Sequence, residues 1–261
     1  MTKNCSSAPW AESGCRSTMT ELIDRAPLRK YFPDSRDTLI SACLEGHMGQ
    51  GVLGKGWGLL LAGDFAFLAG RPDIKALQWL DAHKKGYLIL SGSDEWLQRA
   101  EGFRSGCRST RYAFEDDPVW NMGQLHQYAA TLPDGIGLAE MNENLFSKCR
   151  QIGELRDLCS AFSDMKDFSA HGAGVLAVRN GRPVAGASAY AWDSRGIEVE
   201  IDTLPAYRRR GLATACGAAL VLICLEKGLR VHWDAANETS LRLAKRLGFG
   251  EPRPYEVIEW P

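Results

Sequence analysis

Tyr207-Arg208-Arg209-Arg210-Gly211-Leu212-Ala213-Thr214 sits between a run that alternates like a strand, Ile197 to Thr203, and a nearly all-apolar helical pattern from about Arg209 to Lys227. Gly211 and Ala213 fall at the predicted helix start, where the first backbone N–H groups have no partner inside the helix and small side chains leave them open to an anion. The helix dipole and three arginines add positive potential at the same point. The stretch has the physics of a pyrophosphate cradle, although taken alone it reads equally well as an ordinary basic helix start.

The strand ahead of the cradle reads Ile197-Glu198-Val199-Glu200-Ile201-Asp202. Strict alternation puts its three carboxylates on one face and its β-branched residues on the other. A central strand does not bury three unpaired acids in a core, so the acidic face is expected to open on a wet cleft, unless arginines such as Arg195 or Arg208 pair with it. Further upstream come a strand at Ile136 to Met141, two helical stretches ending near Phe168, and strands Gly174 to Val178 and Pro183 to Trp192 joined by the hairpin signal Asn180-Gly181. Downstream lie a strand Leu229 to Asp234, a helix Glu238 to Leu247 and a last strand around Tyr255 to Ile258. A hairpin-built sheet followed by a β-α-β crossover predicts an α/β (α+β) protein with a mixed sheet covered by helices.

Two motifs in this half coincide with those of a known family. Arg208, Gly211 and Ala213 match the cofactor loop [QR]-x-x-G-x-[GA], and Trp233-Asp234-Ala235-Ala236-Asn237 through Ser240 to Leu247-Gly248-Phe249 resembles a second motif, N-x-x-[AS] through L-G-F. On these residues the segment from about Gly135 to Pro261 resembles the GNAT superfamily of acyl-CoA N-acyltransferases. The W-D-x-x-N version, with a preceding domain of this size, looks most like the branch that includes zwittermicin A resistance acetyltransferases. The resemblance implies acetyl-CoA as co-substrate, held by Ile201, Thr203, the loop Arg208, Arg209, Arg210, Gly211, Leu212, Ala213 and Thr214, and by Asn237 and Ser240. It implies acetylation of a primary amine on a small molecule, an aminopolyol or a polyamine-like acceptor. Many members carry a tyrosine seven residues after the motif asparagine to protonate the departing thiolate. This chain has Ala244 there, so Tyr255 or Tyr207 is left to replace it, unless solvent suffices.

Chemistry sets the remaining expectations. Acyl transfer from a thioester needs a neutral amine, and alkyl ammonium groups are mostly protonated near pH 7, so a general base is useful. Glu200, the middle acid of the alternating face, leads, with Glu198 in reserve. A non-catalytic acyl-CoA-binding or regulatory module is the alternative, for which Ala244 is the best argument and the three acids the best objection.

In the first half, helical spacing of apolar residues runs from Thr20 to Tyr31 and from Ser35 to Leu44, and strand-like runs from Gly58 to Ala69 break at Gly63-Asp64. A helix near Asp73 to Lys84, a strand at Tyr87 to Leu90, a helix opened by Ser93-Asp94, a strand at Thr110 to Phe114 and a helix near Met122 to Ala130 follow. Gly49-Gln50-Gly51-Val52-Leu53-Gly54 fits G-x-G-x-x-G, but it follows no strand and opens no helix, and Gly56 stands where a P-loop needs Ser or Thr. It reads as a flexible loop. The turn Leu132-Pro133-Asp134-Gly135 marks a boundary. The expected division is a flexible tail at 1–18, an N-terminal α+β domain at 19–131 that walls the acceptor side, and the acetyltransferase-like domain at 132–261. Trp57, Trp79, Trp96, Asp64, Asp116 and Asp117 are candidate acceptor contacts, or plain core and surface.

Composition narrows the classes. With 31 Lys+Arg against 32 Asp+Glu in 261 residues, net charge −1, there is no global case for nucleic acid or an anionic membrane. The longest apolar stretch, Gly211 to Leu225, is too short and interrupted to span a bilayer, and the first residues lack the apolar run of a secretory signal. The five histidines are scattered, and only Cys43 with His47 shows ligand-like spacing, so no metal is expected. Eight cysteines without a C-x-x-C pair read as reduced thiols, which favours the cytoplasm.

Overall fold

Asn180 and Gly181 both adopt positive φ, 49° and 74°, the geometry of a two-residue hairpin turn whose twist matches its flanking strands. In the computed structural model, which describes residues 19–33, 36–114 and 117–261, this hairpin is the centre of a five-stranded sheet. The expected tail at 1–18 and the candidate Asp116 lie outside the described residues. The first half runs β1 (Thr20–Leu22), α1 (Thr38–Glu45), β2 (Gln50–Gly54), β3 (Trp57–Ala62), β4 (Phe65–Gly70), α2 (Ile74–His83), β5 (Leu88–Ser91), α3 (Asp94–Phe103), β6 (Cys107–Phe114) and α4 (Met122–Ala130). The second runs β7 (Gly137–Glu140), α5 (Glu143–Gln151), α6 (Met165–His171), β8 (Gly174–Arg179), β9 (Arg182–Trp192), β10 (Gly196–Thr203), α7 (Leu212–Glu226), β11 (Arg230–His232), β12 (Asp234–Ala235), α8 (Glu238–Leu247) and β13 (Pro252–Trp260).

One sheet has the order β11-β10-β9-β8-β7, with only the β10/β11 pair parallel. The other has the order β1-β2-β3-β4-β5-β13-β6-β12, with only β4/β5 parallel. This is the mixed-sheet α/β architecture expected. The last strand, β13, lies between β5 and β6 of the first half, pairing Ile258 with Leu90 on one side and Tyr255 with Arg111 on the other. The eight-stranded sheet is therefore completed by both halves of the chain.

The single apolar run Leu229 to Asp234 becomes two short strands that go to different sheets. Gly196, Ile197 and Glu198 pair with Arg230, Val231 and His232, and two residues later Asp234 and Ala235 pair with Ala113 and Tyr112 of β6. At the same level β10 shifts register against β9 between Glu198 and Val199. A bulge there bends the strand. β10 and β12 belong to different sheets, and residues of both line one cleft beyond this level.

Helix α7 closes the back of the five-stranded sheet. Its apolar residues point in all directions because it is buried nearly all round, with Leu212, Cys216, Leu220, Val221 and Cys224 at 1% exposure or less. Gly217 lets Leu247 and Ile201 approach, since an added Cβ would stand 2.8 Å and 3.1 Å from them.

Two expectations for the first half change. Gly49 to Gly54 is no loop. Gln50–Gly54 is a strand whose glycines are needed for packing, because a Cβ on Gly51 would stand 2.7 Å from Leu28 and one on Gly54 2.0 Å from the Trp57 indole. Thr20 to Tyr31 forms β1 and a short 3₁₀ turn at Ala26–Leu28 rather than a helix. Pro27 at the start of that turn and edge pairing to β2 outweigh the apolar spacing.

Candidate functional site

The cleft between β10, the α7 start and the α8 start encloses about 880 Å³. At its wide end the chain turns through a 3₁₀ turn, Pro205–Tyr207, into α7. Arg209 takes a positive φ of 62° and Gly211 one of 82°. Gly211 is the N-cap of α7, and no side chain caps the helix. Its amides are left for another acceptor, and an added Cβ on Gly211 would meet nothing within 4 Å. Arg208 Nε donates to the Thr203 carbonyl at 3.1 Å, pinning the loop to the end of β10.

Of the residues named for the cofactor, Ile201, Thr203, Arg208, Arg209, Gly211, Leu212, Ala213, Thr214, Asn237 and Ser240 line this one cleft. Arg210 does not, and its guanidinium lies 5.4 Å over the Tyr207 ring. Thr203 Oγ1 is buried and has no hydrogen-bond partner within the described chain. A buried hydroxyl left unpaired is costly, and beside an uncapped helix start it fits a ligand that brings its own polar groups. Ser240 Oγ accepts from Trp233 Nε1 at 3.0 Å.

Asn237 also has work inside the protein. Its Oδ1 accepts from the Thr239 and Ser240 amides at 2.9 Å and 3.1 Å, capping α8. Asn237→Ala is therefore expected to lower stability by about 1 kcal/mol besides any effect on ligand, and Asn237→Asp to retain the cap. Thermal denaturation of the two variants checks this, and equal melting temperatures would remove the capping role.

The acids of β10 do not act alike. Ile201 reaches toward α7, so Glu200 and Asp202 point to the opposite face, where Asp157 adds to their field. Burial, then the charges of Asp202 and Asp157, push the Glu200 carboxyl up to about 8. Burial, then Asp157, raises Asp202 to about 6 against the opposing pull of Arg208. Both line the cleft.

Glu198 is engaged at the apex instead. It is 4% exposed, bonds His232 Nδ1 and accepts the Asp234 N–H at 2.9 Å. The bulge after it breaks the strict alternation on which the three acids were grouped. Although burial alone would lower it, the His232 pKa is raised by Glu198 to about 9, with Asp37, the N-cap of α1, adding to the rise. Glu198 thus tethers the two strands just where they part.

Tyr255 is likewise committed. Its hydroxyl donates to Asp234, and burial, then the Asp234 charge, raises its pKa. Asp234 also accepts from Arg111 Nε at 2.7 Å. Arg111, which comes from β6, lines the cleft with Asp234. Sequence reasoning missed Arg111 and His232, and nothing local in their strands marks either. Ala244 is fully buried, so this part of α8 presents methyl and core rather than a hydroxyl.

The tryptophans offered for acceptor binding are core residues, Trp57 at 1%, Trp79 at 8% and Trp96 at 0% exposure. Asp64 pairs with Lys84 at 2.7 Å, while its amide donates to Tyr190 Oη at 3.3 Å, so the β3–β4 turn touches β9. Asp117 lies 3.7 Å from Arg36 on the surface. Among the described residues all six cysteines are free, no group of three or more His, Cys, Asp or Glu side chains is placed to hold a metal ion, and no helix is long and apolar enough to cross a membrane.

Residues 29–258 match the sequence profile described as GNAT acetyltransferase. The uncharacterized N-acetyltransferase YdfB of Bacillus subtilis is 25% identical over 177 residues, and the match spans 66% of each chain, just under two thirds of that relative. A GCN5-related N-acetyltransferase-like protein from Streptococcus suis has a crystal structure with TM-score 0.85 and 34% identity, over 91% of this chain and 98% of that one. A GCN5-related N-acetyltransferase from Kribbella flavida is similar in fold, with TM-score 0.54 and 21% identity over 84% and 93% of the two chains.

Proposed function

Since the chain belongs to the GNAT acetyltransferase family, we propose that it moves an acetyl group from acetyl-CoA to a primary amine of a small molecule. The observation that carries the reading is the uncapped α7 start, with its two positive-φ residues, beside the unpaired Thr203 hydroxyl in one cleft. In this reading the Arg208 to Thr214 loop takes the pyrophosphate, as helix N-termini do. Ile201, Thr203, Asn237 and Ser240 follow the pantetheine arm. Bound acetyl-CoA supplies a thioester carbonyl, and the chain's part is to align an amine with it, since positioning alone can remove roughly 7–11 kcal/mol of barrier. Glu200 takes the amine proton. Glu198 and Tyr255, named earlier for catalysis, act through Asp234 and the apex.

Burial and the charges of neighbouring carboxylates hold Glu200 and Asp202 toward the neutral form, and a cationic acceptor such as an aminopolyol or polyamine-like molecule would bring the counter-charge that lets them ionise. The W-D-x-x-N motif supports the zwittermicin-resistance-like branch in the same sense. The first half serves as the acceptor-side wall, and the free thiols support a cytoplasmic setting.

Isothermal titration with acetyl-CoA, followed by a thiol-release screen over amines, tests this function, and binding without turnover of any amine would favour the acyl-CoA-binding module instead. Gly211→Glu puts a carboxylate at the cradle and should abolish measurable acetyl-CoA binding. Because φ there is 82°, any L side chain costs about 1 kcal/mol of strain. Gly211→Ala controls for it. A folded Gly211→Glu protein that binds as tightly as Gly211→Ala would move the cofactor elsewhere.

A further inference from the structure

We propose that Arg111, supplied by the first half of the chain, is a catalytic residue of the transfer whose guanidinium holds the thiolate as it departs from the thioester. The inference rests on the acetyl-CoA reading of the cleft. Position is the first argument. Arg111 shares the cleft lining with Glu200 and Asp234, and its Nε–H binds Asp234 Oδ1 at 2.7 Å, while the Asp234 N–H binds Glu198 where the strands part. Arg111 therefore stands near the apex, with β12 between its own strand and the strand that carries the base.

Burial is the second. Arg208, Arg209, Arg242 and Arg246 also line the cleft but are exposed, whereas Arg111 is 7% exposed. Among the described lining residues it is the one buried cation. Asp234 holds it on one side and the Phe65 ring, 4.9 Å from the guanidinium carbon, supports it on another. A fixed charge in a dry site acts far more strongly on developing charge than one in water. A guanidinium has five N–H groups. Asp234 takes the Nε–H and Tyr255 approaches as a further partner, so donors remain for a ligand.

The third argument is the shortage of alternatives. Position 244 on α8 is alanine and buried. Tyr255 Oη is committed to Asp234, and Tyr112 Oη donates to Glu238 at 2.9 Å. Tyr207 lines the cleft too, but at the α7 start beside Arg210, the end that takes the pyrophosphate in this reading and not the thioester. In the step, the amine nitrogen lone pair forms the C–N bond and the C–S bond breaks with its electron pair on sulfur. The amine proton goes to the Glu200 carboxylate. Arg111 keeps its own proton and pairs with the thiolate until the thiolate takes a proton from water.

Free CoA is the probe, so the test needs no knowledge of the acceptor. The thiol of CoA bound to the full chain is titrated by ultraviolet thiolate absorbance, read as a difference against ligand-free protein. Other titratable groups act here, with Glu200 and Asp202 from β10, Asp234 from β12 and Glu238 from α8 in the lining, and Glu198 from β10, His232 from β11, Tyr255 from β13 and Asp37, the N-cap of α1, coupled to Asp234 or Glu198. They remain in the Arg111→Lys comparison. The bound thiol should titrate about one unit or more below free CoA. Arg111→Gln with Asp234→Asn, which removes both charges of the pair together, should return it to the free value with affinity at acid pH little changed. Arg111→Lys should retain part of the shift. A parent-bound thiol that titrates like free CoA, or a double variant with the parent's shift, overturns the proposal. Should the double variant not fold, the parent titration and Arg111→Lys still decide. Failure of the parent to bind CoA at all would instead remove the reading of the cleft.

Discussion

Glu200→Gln should leave the fold intact and slow acetyl transfer by about 10²–10⁴-fold, the usual cost of a lost general base. The loss should be largest once the carboxylate has formed and shrink at still higher pH, where free amine becomes abundant. Burial, then the charges of Asp202 and Asp157, hold the carboxyl at about 8, so the parent rate should climb through that pH as the carboxylate forms. The same displacement acts on stability. A carboxyl raised from 4.5 to about 8 in the fold contributes stability that is fully present below pH 4.5 and lost as pH rises through 8. The loss amounts to a few kcal/mol at about 1.4 kcal/mol per unit. Glu200→Gln has no such loss, so above pH 8 it should be more stable than the parent while being less active. A pH–rate profile superimposable on the parent's would take Glu200 out of the mechanism. An unchanged alkaline stability would show that the group is not desolvated.

This opposition of stability and activity at one residue follows from where β10 lies. Glu200 is on the face away from α7, and the bulge at Glu198 and Val199 bends the strand just before it while β10 stays paired with β9. The alternation in the sequence pointed to a wet acidic face, and Glu200 and Asp202 do line the cleft. Glu198 could not be told from them by alternation, because a bulge leaves no mark in a single strand's pattern. What separates it is the partner His232, 34 residues on, and no local reading reaches that far.

The same distinction between local and distant signals runs through the fold. The hairpin at Asn180-Gly181, the helix Glu238–Leu247 capped by Asn237, and the start of α7 at Gly211 are each set by a few adjacent residues, and each was legible. The insertion of β13 between β5 and β6 depends on pairings such as Tyr255 with Arg111, far apart in sequence. Gly51 and Gly54 looked like loop residues because their purpose, making room for Leu28 and Trp57, exists only after packing. Arg111 was hidden for the same reason. A lone arginine in a strand becomes meaningful only once Asp234 and Phe65 are beside it.

His232→Gln is expected to be the most destabilising single change, because it leaves Glu198 buried without its cation. Removing one member of a buried ion pair typically costs about 3–5 kcal/mol. Here the pair ties β11 to β10 at the level where the sheets separate, so the cleft should also lose definition and acetyl-CoA affinity should fall. The pH dependence has a fixed sign. His232 titrates at about 9 in the fold against 6.5 for the free side chain. Its contribution is fully present below pH 6.5 and is lost as pH rises through 9, a change of about 3.5 kcal/mol at about 1.4 kcal/mol per unit. Glu200 loses stability over an overlapping range, so the measurement is best made in the Glu200→Gln background. Chemical denaturation of that protein, with and without His232→Gln, at acid, neutral and alkaline pH, isolates the imidazolium. The gap between the two should be widest on the acid side and close toward alkaline pH. A gap that stays constant with pH would mean that His232 is held neutral, and that Glu198 keeps the strands together through the Asp234 amide alone.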